Sequence, residues 1–348
     1  MLKRFVAAVI ASLVAAAALA QTDTVAAGAD AQPAAQAAAP EQHATPQEAA
    51  PEKILVVGQR PGPGLWKVSK GDHVLWVFGT YSPLPKKMEW RSREVEAILA
   101  KSQEFIWPPS PKVPYFQIAR ALPFAIGADK NPGGATLKDV LPPDVYARWL
   151  PLKAKYVPNH DGVERRRPVF AAGELFGAAL DKNGLGNSRD VAEAIFKIAK
   201  NNKLKITEPK VDLSIDSPVK SVRNFKKSSL EDVQCFSKTI ERLERDIDAM
   251  RIRANAWARG DLETIRKLVF ADGGEACHAA VMNSAIMKDQ PDIQTLDARL
   301  QQAWVAAAEH ALATNASTFA IMTLKRILDP KGPLVDLQAK GYLVEAPE

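Results

Sequence analysis

Histidine and cysteine are scarce in these 348 residues, with five of the first and two of the second. The histidines, His43, His73, His160, His278 and His310, stand too far apart for a His-x-x-x-His pair, which excludes a zinc site of the helical metallopeptidase type. There is no Gly-x-Ser-x-Gly elbow and no Walker loop, and Gly184-Leu185-Gly186 lacks the rest of a dinucleotide fingerprint. After the first twenty residues no apolar run is long enough to span a bilayer. Residues 21–52 contain no lysine or arginine.

What is present at the start is MLKRFVAAVIASLVAAAALA. Lys3 and Arg4 supply a basic start, an apolar run follows, and Ala18-Leu19-Ala20 offers a small-x-small cleavage site, so residues 1–20 read as a signal peptide cut near Ala20. An uncleaved anchor is the alternative, although the run from Phe5 to Ala20 is short and half alanine. No cysteine follows the cut, which argues against a lipid anchor. Residues 21–52, rich in Ala, Gln and Pro with five carboxylates, cannot bury enough apolar surface to offset their ordering entropy and read as a disordered tether.

The overall charge is +6, so with two cations in the signal and five carboxylates in the tether, residues 53–348 hold about +9. A basic body in an exported protein suggests an anionic ligand or envelope component, such as an acidic polymer or phosphate-bearing lipid, or simply a solvated surface. Arg165-Arg166-Arg167, Lys86-Lys87 and Lys226-Lys227 are dispersed, and no nucleic-acid-binding module is present. The expected location is periplasmic or secreted, with no transmembrane segment in the mature chain. Cys235 and Cys277, an even count in an oxidising compartment, suggest a disulfide worth about 4 kcal/mol in the chain-entropy model; two buried thiols are the alternative.

Along the chain, KILVVGQ is strand-like and Pro61-Gly62-Pro63-Gly64 breaks it. LWKVSKGDHVLWVFGT reads as a β-hairpin turning at Gly71-Asp72, with His73 a strand surface residue. A helix over 90–102 and the buried strand EFIW at 104–107 complete the opening of an α/β unit. Residues 108–170 are broken by prolines and carry no usable period. Helical patterns return at 169–182 and 188–202, with a short strand at 205–209. From Ser229, a capping residue with Asp232 three positions on, Val233, Phe236, Ile240, Leu243, Ile247, Met250, Ala254 and Trp257 form one helical stripe ended by Gly260. A helix over 292–314, the strand TFAIM, a short helix closed by Gly341 and the strand YLVEA finish the chain.

These elements predict an α/β (α+β) fold, with a central mixed sheet built from N- and C-terminal strands, flanking helices and a large helical middle. Residues 53–348 are expected to form one domain.

The run Gly64-Leu65-Trp66-Lys67-Val68, the hairpin to Val77-Phe78-Gly79-Thr80, the helix after Pro85, AWARGDL at 256–262 and the closing strand, helix and Gly341-Tyr342 together resemble the TraB/GumN family. That family is related to the Tiki metalloproteases and to the erythromycin-esterase-like and ChaN-like fold, and the resemblance spans nearly all of 62–346. It implies two Gly-x-x-His motifs and a glutamate that hold a divalent metal, with an open position to polarise water. Here the first motif is Gly79-Thr80-Tyr81-Ser82, with Ser82 at the histidine position. The glutamate position falls on Pro108; Glu104, roughly 13 Å back along the strand, is a poor substitute. Counting back from Gly332 puts Thr323 at the second glycine and Arg326, or by a one-residue shift Lys325, at the second histidine.

With all three ligand positions changed, the chain reads as a divergent member without metal or other cofactor, a pseudoenzyme serving as a binding or regulatory module. Gly79, Tyr81, Ser82, Lys325 and Arg326 would line the degenerate site, with Lys325 or Arg326 meeting an anionic group. Ser82 has no evident base and reads as a turn residue. Tyr81 and Trp90 either line a pocket or are buried in the core. A hydrolase with ligands redrawn from His73, His160 and Glu104 is the alternative, and requires these to converge on the Gly79 turn. An envelope structural protein, with tether and body meeting different partners, is a third reading.

Overall fold

The computed structural model describes residues 64–86, 93–186, 189–228, 232–267, 273–284, 287 and 290–347. The signal and tether assignments, KILVVGQ, Ser229 and Trp90 therefore lie outside the described residues.

The fold is mixed α/β. Strands β1 (Leu65–Lys70) and β2 (His73–Thr80) form the expected hairpin, and Gly71 takes the positive φ of 59° that its turn requires. After β3 (Leu84–Pro85) and helix α1 (Arg93–Lys101) come β4 (Glu104–Ile106) and β5 (Ser110–Lys112). The stretch without a readable period holds helices α2 (Tyr115–Ala121), α3 (Leu137–Val140) and α4 (Pro143–Tyr156) with intervening 3-10 turns. Most of these are too short to establish a period.

Helix α5 (Pro168–Lys182), β6 (Leu185–Gly186), α6 (Arg189–Asn201), β7 (Lys205–Thr207), β8 (Lys210–Asp212) and α7 (Pro218–Lys227) follow. Then come α8 (Val233–Arg245), α9 (Ile247–Ala258), α10 (Leu262–Lys267), α11 (Gly273–Met282), α12 (Pro291–Gln294) and α13 (Leu296–Thr314). Strand β9 (Ser317–Thr323), helices α14 (Leu324–Leu328) and α15 (Pro333–Ala339), and β10 (Leu343–Glu345) close the chain.

The main sheet has the order β10-β1-β2-β9-β4-β7. β1 pairs antiparallel with both β10 and β2, whereas β2, β9, β4 and β7 are mutually parallel. The C-terminal β9 is thus inserted between two N-terminal strands. Five consecutive residues of β9, Thr318 to Met322, are buried, as expected of a parallel strand covered on both faces. Phe319 stacks on Phe105 of β4 at 6.2 Å, and both are fully buried, an arrangement worth roughly 1.5–3 kcal/mol per side chain in transfer energy.

The stripe from Val233 to Trp257 is not one helix. The chain leaves helical geometry at Asp246 (φ −112°, ψ 4°), and beyond Ile247, which still packs with α8, the second half of α9 is buried in a different core. Phe236, Ile240 and Leu243 join Trp149 and Leu175 in the helical layer, whereas Ala254 and Trp257 join the sheet core. A three-and-four spacing continues across such a bend unchanged, which is why the stripe reads as continuous. The predicted helix over 292–314 is likewise divided, at Thr295.

Cys235 of α8 and Cys277 of α11 form a disulfide. Arg167, only 1% exposed, caps the end of α7 by donating to the carbonyls of Phe225 (2.7 Å), Lys226 (3.3 Å) and Ser228 (3.0 Å). Asp232 accepts from the Val169 amide at 2.8 Å, and burial pushes its carboxyl up to about 6. No helix among the described residues is long and apolar enough to cross a membrane.

Candidate functional site

Parallel α/β sheets gather ligands beyond the carboxyl ends of their strands, because the following loops diverge there. In this sheet β2, β9 and β4 are adjacent and parallel, with Thr80 beside Thr323 and Ile106 beside Ala320. The segments leading to Ser82, to Lys325 and Arg326, and to Pro108 thus leave the same edge of three neighbouring strands.

Gly79 is required by close approach. A Cβ there would meet Leu324 Cδ1 at 3.0 Å and Trp66 at 3.2 Å. Its carbonyl accepts a 2.8 Å hydrogen bond from Trp257 Nε1, and Trp257 also meets Phe78 edge-on at 6.0 Å between ring centroids. The hairpin end and AWARGDL, far apart in sequence, are thereby one structural unit. Gly260 (φ 73°) ends α9, and Asp261 accepts from the amide and hydroxyl of Thr264 to begin the next helix.

Tyr81 is buried at 7% exposure. Burial pushes its phenol above the ordinary value, while Arg253 and Arg242 beside it pull the other way and Arg253 donates a hydrogen bond to it. Arg253, itself only 2% exposed, lies one helical turn before Trp257, so α9 delivers both side chains to the end of β2. Ser82 is exposed and joined to Pro83 by a cis peptide bond.

At the end of β9, Thr323 caps α14 by accepting from the Arg326 amide at 3.4 Å. Lys325 is exposed; Arg326 is half-buried and donates to Gln301 Oε1 at 3.3 Å. Gln301 is held in that orientation because its amide nitrogen donates to the Lys331 carbonyl and to Asp336. Asp297, one turn earlier on α13, feels both Arg326 and His278, yet burial dominates and pushes its carboxyl up. Its Oδ1 is buried without a hydrogen-bond partner among the described residues. Gly332, the residue used to align the second motif, packs against the Arg326 carbonyl so closely that a Cβ would lie 2.3 Å from it.

The redrawn ligand set does not come together. His73 opens β2, roughly 23 Å from Thr80 at about 3.3 Å per residue, and its Nδ1 bonds the Asn315 carbonyl at 2.8 Å, so it is more than a strand surface residue. Glu104 opens β4, at the amino end of the sheet; burial opposes its charge, but Thr207, Asn315 and Lys205 donate to it and together hold its carboxyl below the usual range. His160 pairs with Glu174 at 2.7 Å in the helical layer. Among the described residues no group of three His, Cys, Asp or Glu side chains gathers to hold a metal ion. The groups at the strand ends, a hydroxyl, a pyrrolidine ring, an ammonium and a guanidinium, do not fit a divalent cation.

Arg253 and Asp297 carry weight in this site and do not stand out in the sequence. The usable signal for Arg253 is a cation next to Ala254 in an apolar stripe, four residues before a tryptophan. Asp297 reads as an ordinary acid in the first turn of a helix.

A sequence model described as the TraB/PrgY/gumN family matches residues 64–346. No curated protein and no solved structure matches the chain.

Proposed function

Since the chain belongs to the TraB/PrgY/gumN family, we propose that it is an exported member whose strand-end site binds an anionic group rather than a catalytic metal, and that it serves as a binding or regulatory module of the envelope. The observation that carries this reading is the set of residues at the carboxyl ends of β2, β9 and β4: Ser82, Lys325 or Arg326, and Pro108 stand where the resemblance expects two imidazoles and a carboxylate. Arg253 and Arg242 near Tyr81, and Lys325 and Arg326 at the neighbouring strand end, make the edge cationic, with Asp297 the acid turned toward Arg326. Guanidinium groups do not ligate metals but form paired, charge-assisted hydrogen bonds to carboxylates and phosphates. The basic start and apolar run of residues 1–20 support export. In the oxidising compartment so reached, the Cys235–Cys277 disulfide would persist.

The reading is tested by thermal unfolding of the full chain against inorganic phosphate, with sodium chloride at equal ionic strength as control. A saturable rise of Tm specific to phosphate, with apparent affinity weakened about tenfold in Arg326→Gln, is expected. No phosphate-specific rise in the wild type would refute it.

A further inference from the structure

Helix α2 and the turn that follows it are built inside out. At 100° per residue, Tyr115, Phe116, Ala119 and Arg120 of α2 fall within one arc of about 140°, and all four are exposed, as are Pro123 and Ile126 of the turn that follows. Tyr115 is 79% exposed, Phe116 61% and Ile126 64%, among the most exposed large apolar side chains of the described residues. The opposite face, with Ala121 buried and Phe124 half-buried, already packs into the core shared with Val222 and Phe225 of α7. The outward face is therefore surplus to folding, and an exposed apolar cluster of this kind marks an interaction surface.

Its surroundings are predominantly basic. Residues 112–130 and 214–228 together carry seven cations against two carboxylates. Helix α7 packs beside α2 and brings exposed Arg223, Lys226 and Lys227 to the same region. The Arg223 guanidinium lies 4.4 Å from the Phe124 ring centre, and Lys226 Nζ donates to the Ile126 carbonyl at 2.8 Å, fixing the cations next to the apolar cluster. Asp129 is engaged by Arg166 at 3.2 Å, Asp212 lies 3.7 Å from Lys112, and Asp292 accepts from the Ser214 amide and pairs with Arg299, so the nearby acids other than Asp216 have partners.

We infer that this face docks on an anionic lipid surface, with Tyr115, Phe116 and Ile126 entering the headgroup boundary and Arg120, Arg223, Lys226 and Lys227 meeting lipid phosphates. Aromatic and aliphatic groups surrounded by cations match the layering of such a leaflet, apolar below and negative above. These residues are separate from those of the strand-end site, so the inference stands or falls independently of it.

The test is hydrogen–deuterium exchange of the full chain with vesicles of phosphatidylcholine, alone or with phosphatidylglycerol. The local readout separates this face from any lipid contact by residues 1–20. Protection of residues 113–127 is expected with the anionic vesicles only, weakening with salt. Tyr115→Ser/Phe116→Ser/Ile126→Ser should lower vesicle affinity at this face about tenfold, and Arg120→Glu/Lys227→Glu at least fivefold, with unchanged Tm in vesicle-free buffer. Exchange of 113–127 unchanged by vesicles would overturn the inference. So would vesicle-free protection that Tyr115→Ser/Phe116→Ser/Ile126→Ser removes without lowering Tm, which would assign the face to another segment of the chain, or protection that grows with protein concentration, which would assign it to a second copy.

Discussion

The two ends of the same parallel strands are chemically opposite. At the amino end, a buried carboxylate is satisfied: Glu104 accepts from Thr207, Asn315 and Lys205, while His73 bonds Asn315 and Asn315 bonds Thr318 at 3.2 Å. At the carboxyl end, Arg242, Arg253, Lys325 and Arg326 accumulate, and Asp297, the acid near Arg326, keeps an oxygen without a hydrogen-bond partner among the described residues. The closed network holds strands together. The cationic end is where the proposed anionic ligand would bind.

Substitutions should separate the two ends, the amino end failing by unfolding and the carboxyl end by losing a ligand. The largest effect is expected for Glu104→Ala, which leaves the Thr207 hydroxyl and Asn315 amide without their acceptor and should cost about 3 kcal/mol in denaturant unfolding. The wild-type carboxylate is held below its unfolded value of 4.5, so its stabilisation is present above that pH and disappears as pH falls through the lower folded value. The stability difference from Glu104→Gln should accordingly shrink in acid.

Gly79→Ala comes next, because its methyl meets Leu324 and Trp66 within 3.2 Å; about 2 kcal/mol is expected by the same measurement. Trp257→Phe, which keeps most of the apolar ring and removes the donor to the Gly79 carbonyl, should cost about 1 kcal/mol. The smallest effect on stability is expected for Lys325→Ala at an exposed position, within about 0.5 kcal/mol, while phosphate affinity measured by calorimetry falls severalfold. If Lys325→Ala proved as destabilising as Glu104→Ala with phosphate binding intact, the contrast between the two ends would be lost.

Local signals made much of the architecture readable. The Gly71-Asp72 turn and the apolar runs around it define the hairpin, and TFAIM is buried as its uninterrupted apolar character implies. The placement of β9 between β2 and β4 was not readable residue by residue, since it depends on pairing across more than two hundred positions. The bend at Asp246 was hidden because the apolar spacing runs through it.

Within the candidate site, Gly79 and Tyr81 belong to a contiguous turn and could be named from it, as could Lys325 and Arg326 from their distance to Gly332. Arg253 could not, because an arginine flanking an apolar stripe ordinarily extends its charge to solvent. Here it is drawn inward to the Tyr81 phenol.

The central claim is that the carboxyl ends of β2, β9 and β4 no longer hold a metal. Elemental analysis of the purified full chain after exposure to manganese, cobalt and zinc, followed by desalting, tests it most directly. Retained metal well below one equivalent is the predicted result. One tightly held equivalent, released by substituting residues at these strand ends, would contradict the account and return the site to metal chemistry.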